Sequence, residues 1–240
     1  MALTRAPFNR SNKLNTIIID TETTGIDDPD VIEVGYIGVK VEDGKLKPTG
    51  EEFEQRYKPN KPIGLGAMSV HHILPQWLEE CPPTGSFAMP VDVNYLIGHN
   101  IDFDWRVLGE PDIKRICTLA LARKYYPELD GHSQVALVYY FSKDKEAARD
   151  RVMSAHSALP DVKMCGLVLG SMMNDRLNFI TSMDHLYEIA EAARIPDVIT
   201  FGKHKGINFD ELPLDYCRWM VKQADMCQYV KIAAQNRLGQ

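Results

Sequence analysis

The sequence predicts an α/β fold in which a mixed sheet is flanked by helices, followed by a small C-terminal α+β appendage. β-Branched apolar runs dominate the first part of the chain, helical patterns with one more short strand follow, and the pattern changes after about residue 178. We therefore expect an N-terminal tail over residues 1–14, a main domain over residues 15–178 and a small C-terminal region over residues 179–240.

Four segments have the composition of strands. The first three lie near residues 15–20, 31–41 and 53–57, and Asp43-Gly44, between the second and the third, is a typical hairpin turn. These three segments predict a meander. A further short strand is expected at Tyr95–Gly98.

Helical periodicity predicts helices in the main domain near residues 102–108, 118–125, 133–141 and 158–173. In the C-terminal region it predicts a helix over residues 184–194, which Pro196 ends, and two more helical segments after it. Tyr216, Trp219 and Met220 have helical spacing, so we expect them to face a core.

The composition is that of an ordinary globular protein, since 45% of the 240 residues are hydrophobic and 25% are charged. The five cysteines form no C-x-x-C pair, which argues against a disulfide framework or a zinc knuckle. The first residues lack an apolar signal-peptide segment, and no apolar stretch is long enough to cross a bilayer. We therefore expect a cytoplasmic protein.

Two acids end the first predicted strand. Asp20 and Glu22 are separated by one residue, so their side chains share a face of the strand and can bind cations together. A lone acid after a strand is more often a turn or helix-cap residue. The complete string D-x-E-T-x-G favours a catalytic role instead.

Asp102 and Asp104 compete for a second acidic position at the start of a helix. They lie about 200° apart around a helix, so only one of them can face a site, and periodicity alone does not choose between them. Asn100 is a candidate helix cap or backbone clamp. His99 is expected to form structural hydrogen bonds rather than to bind a ligand.

His156 and Asp161 form a third cluster. They would lie about 140° from each other on one regular helix, so we expect only Asp161 to belong to the helix. Ser157 is a favourable N-cap residue, and Pro160 falls in the first turn, where its missing N–H does no harm. His156 is then left on the preceding loop, free to approach a water molecule.

These clusters resemble the motifs of the DEDDh 3′–5′ exonucleases of the DnaQ-like superfamily. The motifs D-x-E, H-N-x-x-F-D and H-x-A-x-x-D match Asp20 and Glu22, His99 to Asp104, and His156, Ala158 and Asp161. The second motif selects Asp104 over Asp102. Residues 67–73 resemble the stretch M-x-x-H-x-I, and residues 200–206 resemble an F-G-K-x-x-G string of the exonuclease X group, so the resemblance covers most of the chain.

The resemblance implies a ribonuclease H-like fold and removal of nucleotides from a 3′ end by a two-metal mechanism. Two Mg²⁺ ions, for which Mn²⁺ can substitute, would orient and deprotonate a water molecule and neutralise charge on the leaving 3′ oxygen. His156 would be the general base, a role that suits histidine, whose side chain ordinarily titrates near neutrality. The expected metal anchors are Asp20, Glu22, Asp104 and Asp161.

The formal net charge of −6 is unusual for a protein that binds nucleic acid, because such proteins generally present a basic face to the phosphates. Four of the negative charges belong to the expected metal anchors, and neutralising them with cations leaves −2. Because the chain contains no Lys/Arg run, we expect weak, salt-sensitive binding of the substrate.

The expected substrate is a 3′ end of single-stranded or duplex DNA. Ile26 stands where related exonucleases present an apolar wedge to the terminal base, and by the same resemblance His71 helps to hold the terminal nucleotide. Lys203 and Lys205 lie in a glycine-containing loop that we expect to contact phosphate. The expected substrate-binding residues are Thr23, Ile26, His71, Asn100, Phe103, Lys203 and Lys205.

Three functions stay open at this point: a DNA 3′-exonuclease, an RNA-trimming exonuclease of the same superfamily, and a nucleic-acid-binding or adaptor module without catalysis. The third is disfavoured because every catalytic position is filled. DNA is preferred to RNA on the C-terminal resemblance alone, since discrimination depends on contacts to the 2′ position that motifs do not reveal. A homodimer is also open.

Overall fold

The computed structural model describes residues 14–153 and 157–239. The chain forms two compact units, one up to Tyr187 and one from Glu188. Each unit has a hydrophobic core of its own.

The strands of the first unit form one mixed sheet. They are β1 (Thr16–Thr23), β2 (Val31–Glu42), β3 (Lys45–Arg56), β4 (Tyr95–Gly98) and β5 (Lys114–Cys117). In the order β3-β2-β1-β4-β5, β1, β2 and β3 pair antiparallel as the predicted meander, and β4 pairs parallel with β1 and β5. With helices flanking it, this sheet confirms the predicted α/β fold.

The helices of the first unit are α1 (Leu65–His71), α2 (Asp102–Val107), α3 (Thr118–Tyr125), α4 (Gln134–Phe141), α5 (Lys145–Met153) and α6 (Ala158–Asn174), and α7 (Met183–Ala193) contains the boundary between the units. Four helices of the first unit, α2, α3, α4 and α6, lie close to the predicted positions. None of the described helices is both long enough and apolar enough to span a membrane.

Some elements differ from the sequence prediction. Strand β3 begins at Lys45 rather than near residue 53. Pro48 and Gly50 are unfavourable in most strands, so the sequence did not indicate its first half. Because β3 lies at the edge of the sheet, proline is tolerated there. Strand β5 and helices α1 and α5 were not expected. Two of the four residues of β5 are charged, and α5 is strongly polar, so neither has a clear apolar period.

Strand β1 is buried on both faces, which accounts for its unbroken apolar run. Ile17 and Ile19 belong to a core cluster, whereas Ile18 meets α6 at Gly166, where a Cβ would lie 3.2 Å from the Ile18 Cδ1. The approach is closer still at Gly35 on β2, where a Cβ would lie 2.6 Å from the backbone nitrogen of Leu159. The start of α6 therefore lies directly against the backbone of the sheet.

The second unit contains α8 (Leu214–Lys222), α9 (Gln228–Leu238) and two short 3₁₀ turns, and its only described β pairing is the bridge between Val198 and Asn208. Trp219 corrects the sequence prediction, because it is 46% exposed while Met220 is fully buried. Helical spacing does not specify which arc of a helix faces the core, and in α8 that arc contains Cys217 and Met220. The core is formed by Ile199, Phe209, Leu212, Cys217, Met220, Ala233 and Ala234.

Candidate active site

Three of the four predicted metal anchors lie together. Asp20 and Glu22 project from the second half of β1, and Asp161 lies in the first turn of α6. One carboxylate oxygen from each lies within 4.8 Å of the oxygens of the other two, so the three side chains could hold a cation. All the donors are oxygen atoms, which hard divalent cations such as Mg²⁺ prefer.

Asp104 is buried beside this group on α2. Its Oδ1 accepts hydrogen bonds from the Thr21 backbone N–H at 3.0 Å and from the Thr21 hydroxyl at 2.7 Å. The backbone pairing of β1 with β4 ends at Ile18. Beyond that point the Asp104 carboxylate, rather than the backbone of a neighbouring strand, accepts the Thr21 N–H. Asp102 lies apart, since it forms an ion pair with Arg115 at 2.6 Å and is half exposed.

Burial and mutual repulsion disfavour the charged forms of these acids. Burial, followed by the negative charges of Asp104 and the other neighbouring acids, raises the pKa of Asp20 well above its usual range. Burial and the charges of Asp161, Glu33 and Asp104 raise the pKa of Glu22 to about 8. Burial raises the pKa of Asp104 to about 7 although its hydrogen bonds oppose the shift. A bound divalent cation would relieve this repulsion.

Glu33, in the middle of β2, supports the site and was missed by the motif comparison. Its side chain is 1% exposed, and it accepts hydrogen bonds from the Arg56 Nε at 2.6 Å and from the Ala158 N–H at 2.9 Å. Ser157 occupies the N-cap position of α6 as predicted, but its side chain forms no capping hydrogen bond. The predicted N-cap residue is therefore confirmed, while the Glu33 carboxylate, and not the serine hydroxyl, accepts an N–H of the helix terminus.

His156 lies outside the described residues, so its approach to the site stays a prediction. The structure does confirm that α6 begins at Ala158, with Pro160 in its first turn and Asp161 close to its start. The helix that carries Asp161 therefore starts two residues after His156.

An apolar cavity of about 400 Å³ adjoins Glu22. Four of the expected substrate-binding residues, Thr23, Ile26, His71 and Phe103, line it. Ile26 is 78% exposed, so its side chain is available to a ligand rather than engaged in packing. The structure therefore brings part of the predicted binding set next to the acidic group.

His71 contributes a buried polar atom to this cavity. The side chain is 3% exposed, and its Nδ1 accepts the Ile73 backbone N–H at 2.9 Å, which leaves the ring proton on Nε2. Burial lowers the pKa of His71, so the ring is held neutral. The buried Nε2 forms no well-aligned hydrogen bond with the described residues, although an interaction with the Thr23 backbone partly opposes the fall in the pKa.

His99 and Asn100, just before α2, form contacts that hold the local backbone. The His99 ring nitrogens contact the Thr118 hydroxyl and the His132 carbonyl, both at 2.9 Å, as expected for a structural residue. Asn100 has a left-handed φ of 73°, its carbonyl accepts the Phe103 N–H, and it does not line the cavity. The N-cap of α2 is the next residue, so the expected Asn100 cap is wrong.

Lys203 and Lys205 belong to the second unit. Both are exposed on the loop that follows Ile199, and a 3₁₀ turn at Gly202–His204 contains the first of them. Their contact with phosphate stays a prediction.

Comparison with known proteins identifies the family. The exonuclease family model matches residues 17–169. Exodeoxyribonuclease 10 of Escherichia coli (strain K12) is 28% identical over 219 residues, covering 87% of this chain and 91% of that protein. The DNA polymerase III subunit epsilon of Buchnera aphidicola subsp. Schizaphis graminum is 30% identical over 181 residues, covering 65% of this chain and 73% of that protein.

Solved structures share the fold. Exonuclease X in complex with 5′ overhanging duplex DNA has a TM-score of 0.51 and 25% identity, covering 73% of this chain and 99% of that chain. E. coli exonuclease I in complex with a dT13 oligonucleotide has a TM-score of 0.55 at 14% identity, covering 88% of this chain and 60% of that chain, and it bears on the fold alone. The sheet is thus the ribonuclease H-like sheet that the motifs implied. Because the family match spans well over half of the chain and includes the acidic group, this protein belongs to the exonuclease family as a 3′–5′ exonuclease of the DnaQ-like superfamily.

Proposed function

We propose that the chain is a 3′–5′ exodeoxyribonuclease that releases nucleoside 5′-monophosphates from DNA 3′ ends with two divalent cations, in the first place Mg²⁺. The observation that carries the proposal is the apolar cavity next to the carboxylates of Asp20, Glu22 and Asp161. A terminal nucleotide in that cavity would present its phosphate to the acids and their cations. DNA as the substrate is supported by exodeoxyribonuclease 10 and by the exonuclease X complex with duplex DNA.

The carboxylates divide into two overlapping sets. Asp20, Glu22 and Asp161 would hold one cation, and Asp20 together with Asp104 would hold the other. The cations, when bound, supply activation of the attacking water and neutralisation of charge on the leaving oxygen. His156 would accept the water's proton as a neutral imidazole.

The cavity residues would position the terminal nucleotide. Ile26 and Phe103 offer apolar surface to the base, and the His71 Nε2–H offers one donor to a sugar or base acceptor. The apolar lining binds without sequence preference, because every base has an apolar face. Orientation of the scissile phosphate would then come from the carboxylates and not from the base.

The test is digestion of 5′-labelled single-stranded DNA, duplex DNA and RNA in Mg²⁺, with EDTA as the blank. We expect a ladder that shortens from the 3′ end of DNA. The His156→Ala protein should cut about 10²–10⁴-fold more slowly, because it lacks the general base, while it retains the metal ligands. Mg²⁺ should bind the wild type and the His156→Ala protein nearly equally. The rise in melting temperature that Mg²⁺ causes in each protein measures this binding.

The outcomes separate the parts of the proposal. If RNA is cut faster than DNA, the proposed substrate changes from DNA to RNA, while the proposed reaction stands. Near-wild-type turnover of His156→Ala would remove the histidine from its role. A protein that binds DNA but cuts no substrate in Mg²⁺ or Mn²⁺ would contradict the exonuclease proposal as a whole.

Metal-free protein should become less stable as the pH rises from about 5 to about 8. The raised pKa values of Glu22, about 8, and Asp104, about 7, mean that the folded protein holds protons which the unfolded chain has already released. Unfolding free energy therefore falls with rising pH through this window. Mg²⁺ favours the ionised carboxylates, so the rise in melting temperature on adding Mg²⁺ should grow over the same range.

Melting temperatures in EDTA and in Mg²⁺ at several pH values check this prediction. Glu22→Gln removes one of the titrating groups and serves as the control, because its melting temperature in EDTA should depend less on pH. A Mg²⁺ effect of constant size between pH 5 and 8 would contradict the linkage.

A further inference from the structure

An exposed aromatic pair lies on the surface of the second unit. Tyr216 and Trp219 on α8 stack with ring centroids 5.2 Å apart and an interplanar angle of 22°. Tyr216 is partly buried, whereas 46% of Trp219 is exposed. Since Cys217 and Met220 anchor the helix to its core, the exposed indole face is not needed for packing.

The loop before α8 places Lys203 next to this pair. Backbone hydrogen bonds from the Ile199 N–H to the Ile207 carbonyl, at 2.9 Å, and from the Gly206 N–H to the Ile199 carbonyl, at 2.8 Å, close the loop. The Lys203 Nζ lies 5.5 Å from the Tyr216 ring centroid. A Cβ on Gly202, whose φ is 66°, would lie 2.9 Å from the Tyr216 hydroxyl, so glycine allows the loop to rest on the tyrosine.

The charges around the aromatic pair differ from those of the chain as a whole. Residues 188–240 contain seven acidic and seven basic side chains, whereas the full chain carries a net charge of −6. Lys203 and Lys205 are exposed, and neither forms an ion pair with any described residue. Lys222, also exposed, lies one helical turn beyond Trp219. Lys203 beside Tyr216 and Lys222 beyond Trp219 therefore bring positive charge near the exposed indole, while Asp215 lies one turn before it.

We propose that this surface, Lys203, Lys205, Tyr216 and Trp219, binds single-stranded DNA. One base stacks on the exposed face of Trp219, and the ammonium groups of Lys203 and Lys205 neutralise the flanking phosphates. Bases of a duplex are already stacked on one another, so only unpaired bases can use the indole face. The inference rests on the proposed function in that DNA is the substrate, and it assigns a second, non-catalytic contact to that substrate.

The experiment measures binding of a thymidine oligonucleotide to the full chain in EDTA, where no cleavage occurs whatever the catalytic activity. Base stacking on an indole quenches its fluorescence, so the oligonucleotide should quench the wild-type protein. Trp219→Ala should weaken binding about tenfold, since alanine offers no ring for a base to stack on. Trp219→Phe should retain most of the affinity and lose the quenching.

Trp77→Phe is the matched control, because Trp77 is 54% exposed and also lies beside a cation, Arg56. It should leave both the affinity and the quenching at wild-type levels. Equal affinities of wild type and Trp219→Ala, with quenching that persists in Trp219→Phe, would overturn the proposal. Circular dichroism and melting temperature establish that each variant is folded.

The lysines are tested through the salt dependence of binding. Replacing both Lys203 and Lys205 by alanine should reduce the slope of log affinity against log salt by about 0.7 for each phosphate that the variant no longer neutralises. Lys231→Ala on α9 removes one positive charge within the same unit, away from this surface in sequence, and should leave the slope unchanged. If the double variant and the wild type have the same slope of log affinity against log salt, the proposed phosphate contacts are contradicted.

Cleavage assays separate this inference from the proposed function. If Trp219→Ala raises KM for long single strands while kcat is retained, both stand. If the wild type cuts DNA but Trp219→Ala neither weakens binding nor raises KM, the surface proposal fails alone. If nothing is cut but binding in EDTA still requires Trp219, the proposed function fails and the surface proposal stands.

Discussion

The Asp20→Asn protein is expected to turn over DNA at least about 10³-fold more slowly than the wild type, because metal-ion catalysis contributes several kcal/mol to such reactions. Asp20 shares a ligand group with Glu22 and Asp161, and Asp104 is its strongest charged neighbour. It is therefore the carboxylate best placed to contact both of the proposed cations. Initial rates of 3′-end shortening at saturating Mg²⁺ measure the effect.

Two controls separate a loss of chemistry from a loss of folding. In EDTA, Asp20→Asn should melt at the same temperature as the wild type or higher, because asparagine removes the repulsion that raises the pKa of Asp20. Asp102→Asn should keep wild-type activity, since Asp102 pairs with Arg115 outside the acidic group. Equal losses in Asp20→Asn and Asp102→Asn would contradict the assignment of Asp20 to the site.

Glu33→Ala is expected to lower the free energy of unfolding by about 2–4 kcal/mol, because it leaves Arg56 and the Ala158 N–H without their buried acceptor. For a chain of this length the melting temperature should fall by about 5–15 °C. The remaining folded protein should also lose activity by about 10–100-fold, since Glu33 holds the helix start that carries Asp161. Thermal melting and turnover of the variant measure the two effects.

The chain offers a matched control for this prediction. Glu52 also joins the sheet to α6, through an ion pair with Lys163 at 2.9 Å, but both partners are half exposed. Glu52→Ala should therefore cost only about 0–1 kcal/mol and leave the activity unchanged. Glu33→Gln keeps an acceptor without the charge and should fall between Glu33→Ala and the wild type. Equal losses for Glu33→Ala and Glu52→Ala would refute the buried helix contact.

The acids of β1 and α6 could be predicted from the sequence because local rules fix them. Alternation along a strand puts Asp20 and Glu22 on one face, and the break in helical spacing puts Asp161 at the start of α6. The meander could be predicted because β-branched residues dominate its second run and its turn is Asp43-Gly44, which adopts positive φ angles at both positions. These features require no knowledge of distant contacts.

The supporting contacts could not be predicted because they join distant parts of the chain. Glu33 lies 125 positions from the Ala158 N–H that it accepts, and Thr21 lies 83 from Asp104. A single acid within an apolar strand was a signal that could have identified Glu33, since a buried carboxylate requires a partner. Trp219 was misplaced because its helical spacing is compatible with more than one arc of α8.

Gly35 bears on the choice of ion. Since α6 lies backbone to backbone against β2 at this residue, rotamer changes cannot move the helix start that carries Asp161 relative to the sheet that carries Asp20 and Glu22. Small cations such as Mg²⁺ bind oxygen at about 2.0–2.1 Å and larger ones such as Ca²⁺ at about 2.3–2.6 Å, so a helix start held this close to the sheet would suit the smaller ion in the proposed site. Selectivity between divalent ions would then originate in a residue that has no side chain.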